Sequence, residues 1–186
     1  MANPERRRAT YSDLLEVPEN QVGEIIDGEL ITQPRPAVPH ARAASQLMGE
    51  LGGPFNRGKG GPGGWIILYE PELHLHGDAL VPDLAGWRRE RMAEVPQDAA
   101  IELAPDWVCE LLSPSTQGHD RVKKMGVYAR ERVVHVWLVD PLAQTLEVYA
   151  WAEHAWLRIQ VAQRAEKVRA TPFEALELDL AALWER

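Results

Sequence analysis

Apolar positions along the chain follow two periods, and the change from one to the other divides it into elements. "TYSDLLEVPENQ", residues 10–21, reads as a short helix ended by Pro18 and Asn20, and "GEIIDGELITQ" alternates about Asp27-Gly28, a hairpin signal. "RPAVPHARAASQLMGELGG" has a helical spacing of Ala43, Ala44, Leu47, Met48 and Leu51 before a glycine pair, and "NRGKGGPGG" is a loop. "WIILY", "ELHLH" and "ALVPDLAGW" read as adjacent strands, divided by Pro71, Gly77 and Pro82. "DWVCELL" is apolar at odd and even positions alike, as a strand buried on both faces would be. A helix of about four turns, "GHDRVKKMGVYARER", and a second apolar strand, "VVHVWLVD", complete a strand-helix-strand crossover. "LEVYAW" and "AWLRIQV" read as a further hairpin turning at Ala152, Glu153 and His154, followed by a short acidic amphipathic end. This order predicts one α/β domain over residues 1–186, a mixed β-sheet flanked by helices.

Within the doubly apolar strand stands a carboxylate, Glu110. Burying an ionised carboxylate is costly unless a cation meets it. Asp83 follows Pro82 at the entry of another strand, and if the two strands are neighbours both side chains reach one point, where a hard divalent cation would find oxygen ligands. A lysine nearby would complete a device for phosphodiester hydrolysis. Leu112 lies two positions after Glu110, so the lysine must come from the following helix. There Val122, Met125 and Ala129 mark the core stripe, Asp120, Lys124 and Tyr128 run along its border, and Lys123 points to the side, which favours Lys124. The bland alternative is an ordinary pair of Lys124 with Asp120.

Other residues suggest less. Glu24 and Glu29 flank the hairpin turn and read as exposed carboxylates, and His40 reads as a helix cap or surface residue. His74 and His76 share a strand face, but no carboxylate follows at a cupin-type spacing, so a half-buried strand explains them. Ser113 and Ser115 lack a nucleophile-elbow pattern and read as turn residues. Cys109, the only cysteine, reads as a core thiol.

Composition adds limits. With 186 residues, 45% of them hydrophobic, the chain has enough for one core, and a formal charge of −8 argues against a wholly basic nucleic-acid-coating surface. Local basic clusters remain at 5–8, 87–92 and 120–124. The start has no apolar stretch of the secretory kind and no run is long enough to span a bilayer, so a cytoplasmic location without membrane contact is expected.

The ordered set "GEIIDGEL", "RPAVPH", "VPDLAGW", "PDWVCELLSPST" with the spaced Asp120, Lys124 and Tyr128, and "VWLVDP" resembles the Uma-two-type restriction endonuclease family, a branch of the PD-(D/E)XK nucleases, over roughly residues 10–151. The resemblance implies a restriction-endonuclease-like sheet with Asp83 and Glu110 as metal ligands. It further implies the Leu111 backbone carbonyl as a ligand, Glu29 as an additional acidic ligand with Glu24 the weaker match, and Lys124 as the catalytic lysine moved to the helix. The chain departs from the family in having Arg132 where a C-capping glycine is usual and His135 where a glutamate is usual.

The leading expectation is therefore DNA hydrolysis with Mg²⁺ or Mn²⁺ held by Asp83 and Glu110, Lys124 orienting water or offsetting charge, and Arg121 and Lys123 contacting the DNA backbone. A catalytically silent nucleic-acid-binding module and a hydrolase of another phosphate ester are the alternatives. A homodimer is open, with Trp151 and Trp156 either at an interface or capping the core.

Overall fold

The structure, a computed structural model, describes residues 7–185, so part of the basic cluster at 5–8 lies outside the described residues. It is a mixed α/β fold. A helix α1 (Tyr11–Leu15) precedes the hairpin β1 (Gln21–Ile26) and β2 (Glu29–Pro34), which turns at Asp27 and Gly28, both with positive φ. Helix α2 (Val38–Leu51) runs on through a π-helical turn, Gly52–Asn56. Strands β3 (Trp65–Tyr69), β4 (Leu73–Leu75), β5 (Asp78–Leu80), β6 (Leu84–Arg88) and β7 (Trp107–Leu111) follow. The crossover to β8 (His135–Asp140) is helical, and β9 (Thr145–Ala152) and β10 (Ala155–Gln163) form the later hairpin.

Two sheets divide these strands. The larger has the order β10-β9-β8-β7-β6-β3, and the smaller β2-β1-β5-β4. Only β7 and β8 pair in parallel within the larger one, as a right-sized helical crossover between them requires. β7 lies between β6 and β8, and all five of its residues are buried. Trp107, Cys109 and Leu111 enter a core with α2 and the C-terminal segment, whereas Val108 and Leu112 enter a second core on the opposite side. Cys109 is thus a packed thiol, fully buried.

The crossover helix is not regular. It is built of α3 (Gln117–His119), a π-turn over Asp120–Lys124 and α4 (Met125–Arg130). The wider turn changes the register: Val122, expected in the core stripe, is 73% exposed, while Asp120 and Lys124 are buried. Such turns close i→i+5 bonds in place of i→i+4 and are frequent at functional sites.

The helix ends without its expected glycine but with the expected geometry. Arg132 takes the left-handed conformation at φ 58°, its N–H donates to Ala129 O at 3.1 Å, and Val133 N–H donates to Tyr128 O at 2.9 Å. These two bonds make a Schellman motif, with buried Val133 as its apolar seal.

The acidic C-terminal end is more structured than its sequence suggests. β11 (Lys167–Val168) pairs with β12 (Leu178–Asp179), and α5 (Ala181–Trp184) packs on α2. Phe173 stands between Trp65, Trp107, Trp137 and Phe55 with ring centroids 4.7–5.6 Å away. Trp151 and Trp156 meet edge to face at 5.2 Å, and the Trp156 indole donates to Met125 O. Among the described residues, no helix is long and apolar enough to cross a membrane.

Candidate active site

β6 and β7 are neighbours, with Leu84 opposite Cys109. Continuing that antiparallel register by one step sets Asp83 beside Glu110 at the end of the sheet. The Leu111 N–H donates to Asp83 Oδ2 at 2.7 Å, which fixes the aspartate across the two strands. Both carboxylates, Leu111 and Lys124 line one cleft between the large sheet, the β1–β2 hairpin and the crossover helix.

Glu110 is 2% exposed, and each of its oxygens is taken. The Tyr128 hydroxyl donates to Oε1, and Lys124 Nζ donates to Oε2 at 3.0 Å. Lys124 also lies 3.1 Å from Glu24 Oε1 and 3.2 Å from the Val81 carbonyl, and 3.9 Å from Asp120. Burial pushes the Glu110 carboxyl well above the ordinary carboxylate range, with Lys124 opposing it. Burial also disfavours the Lys124 ammonium, but Glu110 and Glu24 outweigh it and hold the lysine protonated well above its ordinary value.

The upstream carboxylate in the cleft is Glu24 rather than Glu29. Glu24 is 2% exposed, accepts the Val81 N–H at 2.8 Å and meets His119 Nε2 at 3.1 Å. Burial opposes its ionisation, yet Lys124, His119 and the Val81 amide hold its pKa down at about 2. Glu29 is on β2, half exposed and 2.5 Å from Lys123 Nζ, and it does not line the cleft. The two glutamates share one face of the hairpin, Glu29 opposite Ile26 and Glu24 opposite Ile31, and differ in their distance from the turn: Glu29 stands exposed at the Asp27-Gly28 end and Glu24 deeper, at the cleft.

His40 is likewise in the site and not a surface cap. Its Nε2 is 3.1 Å from Asp83 Oδ1, its side chain is 11% exposed, and its Nδ1 is buried without a hydrogen-bond partner. Burial disfavours the imidazolium, but the Asp83 carboxylate more than compensates and lifts the His40 pKa. Pro36 and Pro39 in "RPAVPH", which set where α2 starts, were the available sequence signal that this histidine is placed by a rigid entry.

The two basic residues expected at a DNA backbone are paired within the protein. Arg121 donates to Glu147, and Lys123 to Glu29. Arg35, by contrast, lines the cleft, and its guanidinium donates to the Glu19 carbonyl at 3.0 and 3.2 Å. His74 and His76 are each tied to a glutamate, Glu72 and Glu131, and do not converge. Ser113, Ser115 and Thr116 hydrogen-bond one another in the turn after β7.

The donor set suits a hard divalent cation. Glu24, Glu110 and Asp120 lie 3.0–3.9 Å from the buried Lys124 ammonium, Asp83 lines the same cleft, and neighbouring carboxylates push the Glu110 and Asp120 carboxyls further up. An added cation would offset that repulsion. Among the described residues, no group of three or more His, Cys, Asp or Glu side chains is spaced to enclose a metal ion. Asp83 and Glu110 therefore offer two carboxylates, as for a cation that keeps several waters and takes phosphate oxygens.

A crystal structure described as a putative nuclease belonging to DUF820, from Anabaena variabilis, superposes with a TM-score of 0.75 at 22% identity. The match covers 94% of this chain and 97% of that one, and shows a shared fold. No curated protein matched. The family model described as Uma2, putative restriction endonuclease, matches residues 9–181, and the chain belongs to that nuclease family.

Proposed function

We propose that the protein hydrolyses DNA phosphodiester bonds with a divalent cation, Mg²⁺ or Mn²⁺, at the Asp83–Glu110–Lys124 cleft. The observation that carries this reading is the Lys124 ammonium, buried 3.0 Å from Glu110 in a cleft that also holds Asp83. A lysine and two carboxylates at the ends of paired strands are the parts such hydrolysis needs.

Asp83 and Glu110, with the Leu111 carbonyl, would hold the cation. Bound there, it would lower the pKa of a water and offset charge on the phosphoryl oxygens. Lys124 acts as a fixed positive charge and not as a base, because its carboxylate neighbours keep it protonated. Its N–H groups orient the attacking water or meet the phosphoryl oxygen as negative charge develops. His40 and the Leu111 amide hold the two oxygens of Asp83. For Arg121 and Lys123 to contact the DNA backbone, each would exchange its present carboxylate, Glu147 or Glu29, for a phosphate oxygen.

The test is cleavage of supercoiled plasmid and of single-stranded DNA with Mg²⁺, Mn²⁺ or a chelator. Cutting that needs the cation supports the proposal. DNA binding with no cutting under any cation would favour the silent binding module instead.

A further inference from the structure

Tyr128 is not among the groups expected to touch metal or phosphate, yet it is bound directly to Glu110. Its side chain is fully buried, in the second core, on the same helix as Lys124. The hydroxyl donates to Glu110 Oε1, while Lys124 Nζ is 3.0 Å from Oε2. The two contacts differ in what they permit. Lys124 has the Val81 carbonyl and Glu24 as further partners, so it can give up Oε2 without losing its surroundings. Tyr128 is buried in the same core as Val108, Leu112, Val127 and Leu138, and its hydroxyl has Glu110 as its hydrogen-bond partner, which a buried phenol keeps.

From this asymmetry we infer that Tyr128 is a positioning residue of the nuclease site: it commits one oxygen of Glu110 and so presents the other, Oε2, to the cation. The inference rests on the proposed metal-dependent function. Its backbone is itself held, since Tyr128 O accepts the Val133 N–H of the helix end and the π-turn over Asp120–Lys124 sets the approach of the whole segment. With Oε1 committed, Glu110 binds through one oxygen, and the carboxylate plane cannot turn to let Lys124 bridge both oxygens. Hydrogen bonds that orient a metal ligand in this way change metal affinity or activity by about 10- to 100-fold when removed.

The experiment is calorimetric titration of Mn²⁺ into wild type and Tyr128→Phe, with cleavage measured across Mn²⁺ concentrations. Tyr128→Phe is expected to bind Mn²⁺ about 10- to 100-fold more weakly, and to recover much of its cleavage rate at saturating Mn²⁺. A purely structural tyrosine would leave Mn²⁺ affinity unchanged, and that result overturns the inference. A second measurement needs no change at Tyr128: the carboxylate infrared difference on Mn²⁺ binding, wild type minus Glu110→Gln. A one-oxygen signature supports the inference and a two-oxygen signature overturns it, whether or not Tyr128→Phe folds. If wild type neither binds Mn²⁺ nor cuts DNA, the nuclease reading itself fails. If wild type does both and Tyr128→Phe matches it, only the role of Tyr128 fails.

Discussion

Lys124 Nζ lies 3.0 Å from Glu110 Oε2 with both side chains under 5% exposed, so the pair has been taken out of water. Removing one partner of such a pair leaves the other charge buried alone, which costs about 3–5 kcal/mol. Here the orphaned groups would be two, since Glu24 depends on the same ammonium. Lys124→Met is therefore expected to lower unfolding stability in urea by about that amount, and the double variant Glu110→Gln/Lys124→Met by less. Equal stability of Lys124→Met and wild type would contradict a desolvated pair.

His40 meets Oδ1 of Asp83 while the Leu111 amide holds Oδ2. Replacing it by alanine frees one carboxylate oxygen without touching the cores. His40→Ala is expected to reduce cleavage about 10- to 100-fold. Thermal unfolding should be almost unchanged, and a large loss of stability would show that the histidine serves packing instead.

Much of this site was legible in the sequence, for a specific physical reason. A charge inside a doubly apolar strand needs a partner, which singled out Glu110; Asp83 followed from supposing the two strands adjacent, Lys124 from the helical wheel, and the family resemblance supplied their roles. The structure does bring these three to one cleft. What the pattern concealed was register. A helical wheel assumes 3.6 residues per turn, and the π-turn over Asp120–Lys124 turns Val122 outward while enclosing Asp120 and Lys124. Alternation likewise puts Glu24 and Glu29 on one face of the hairpin, so it could not rank them; their distance from the turn decides which one reaches the cleft. His40 and Phe173 were missed because their partners, Asp83 and the tryptophans, are distant in sequence.

The helix end offers a test of backbone strain. Arg132 at φ 58° occupies a conformation that costs an L-residue about 1–2 kcal/mol, part of which glycine would forfeit through its freer unfolded chain. Arg132→Gly is expected to stabilise the protein by about 0.5–1 kcal/mol in urea unfolding, with cleavage unaffected. Destabilisation would mean that the arginine side chain contributes more than its backbone loses.

Acid sensitivity should have an identifiable contribution away from the cleft. Burial tends to raise the Glu147 carboxyl, but Arg121, Tyr149 and Arg158 outweigh it and hold its pKa below the usual 4.5. A carboxylate lowered on folding stabilises the native state above its unfolded pKa, and that contribution is lost as pH falls through the folded value. Between pH 6 and pH 3, roughly, wild type should therefore lose stability more steeply than Glu147→Gln. Parallel stability curves for the two proteins would show that the glutamate is equally easy to protonate in both states.

The measurement that most directly tests the site is cleavage of supercoiled plasmid by wild type, Asp83→Asn and Glu110→Gln, each checked for its fold by circular dichroism, with Mg²⁺, Mn²⁺ or a chelator. The expected result is cation-dependent nicking or linearisation by wild type, abolished by chelator and by either substitution. Folded Asp83→Asn and Glu110→Gln proteins that cut as fast as wild type would contradict it.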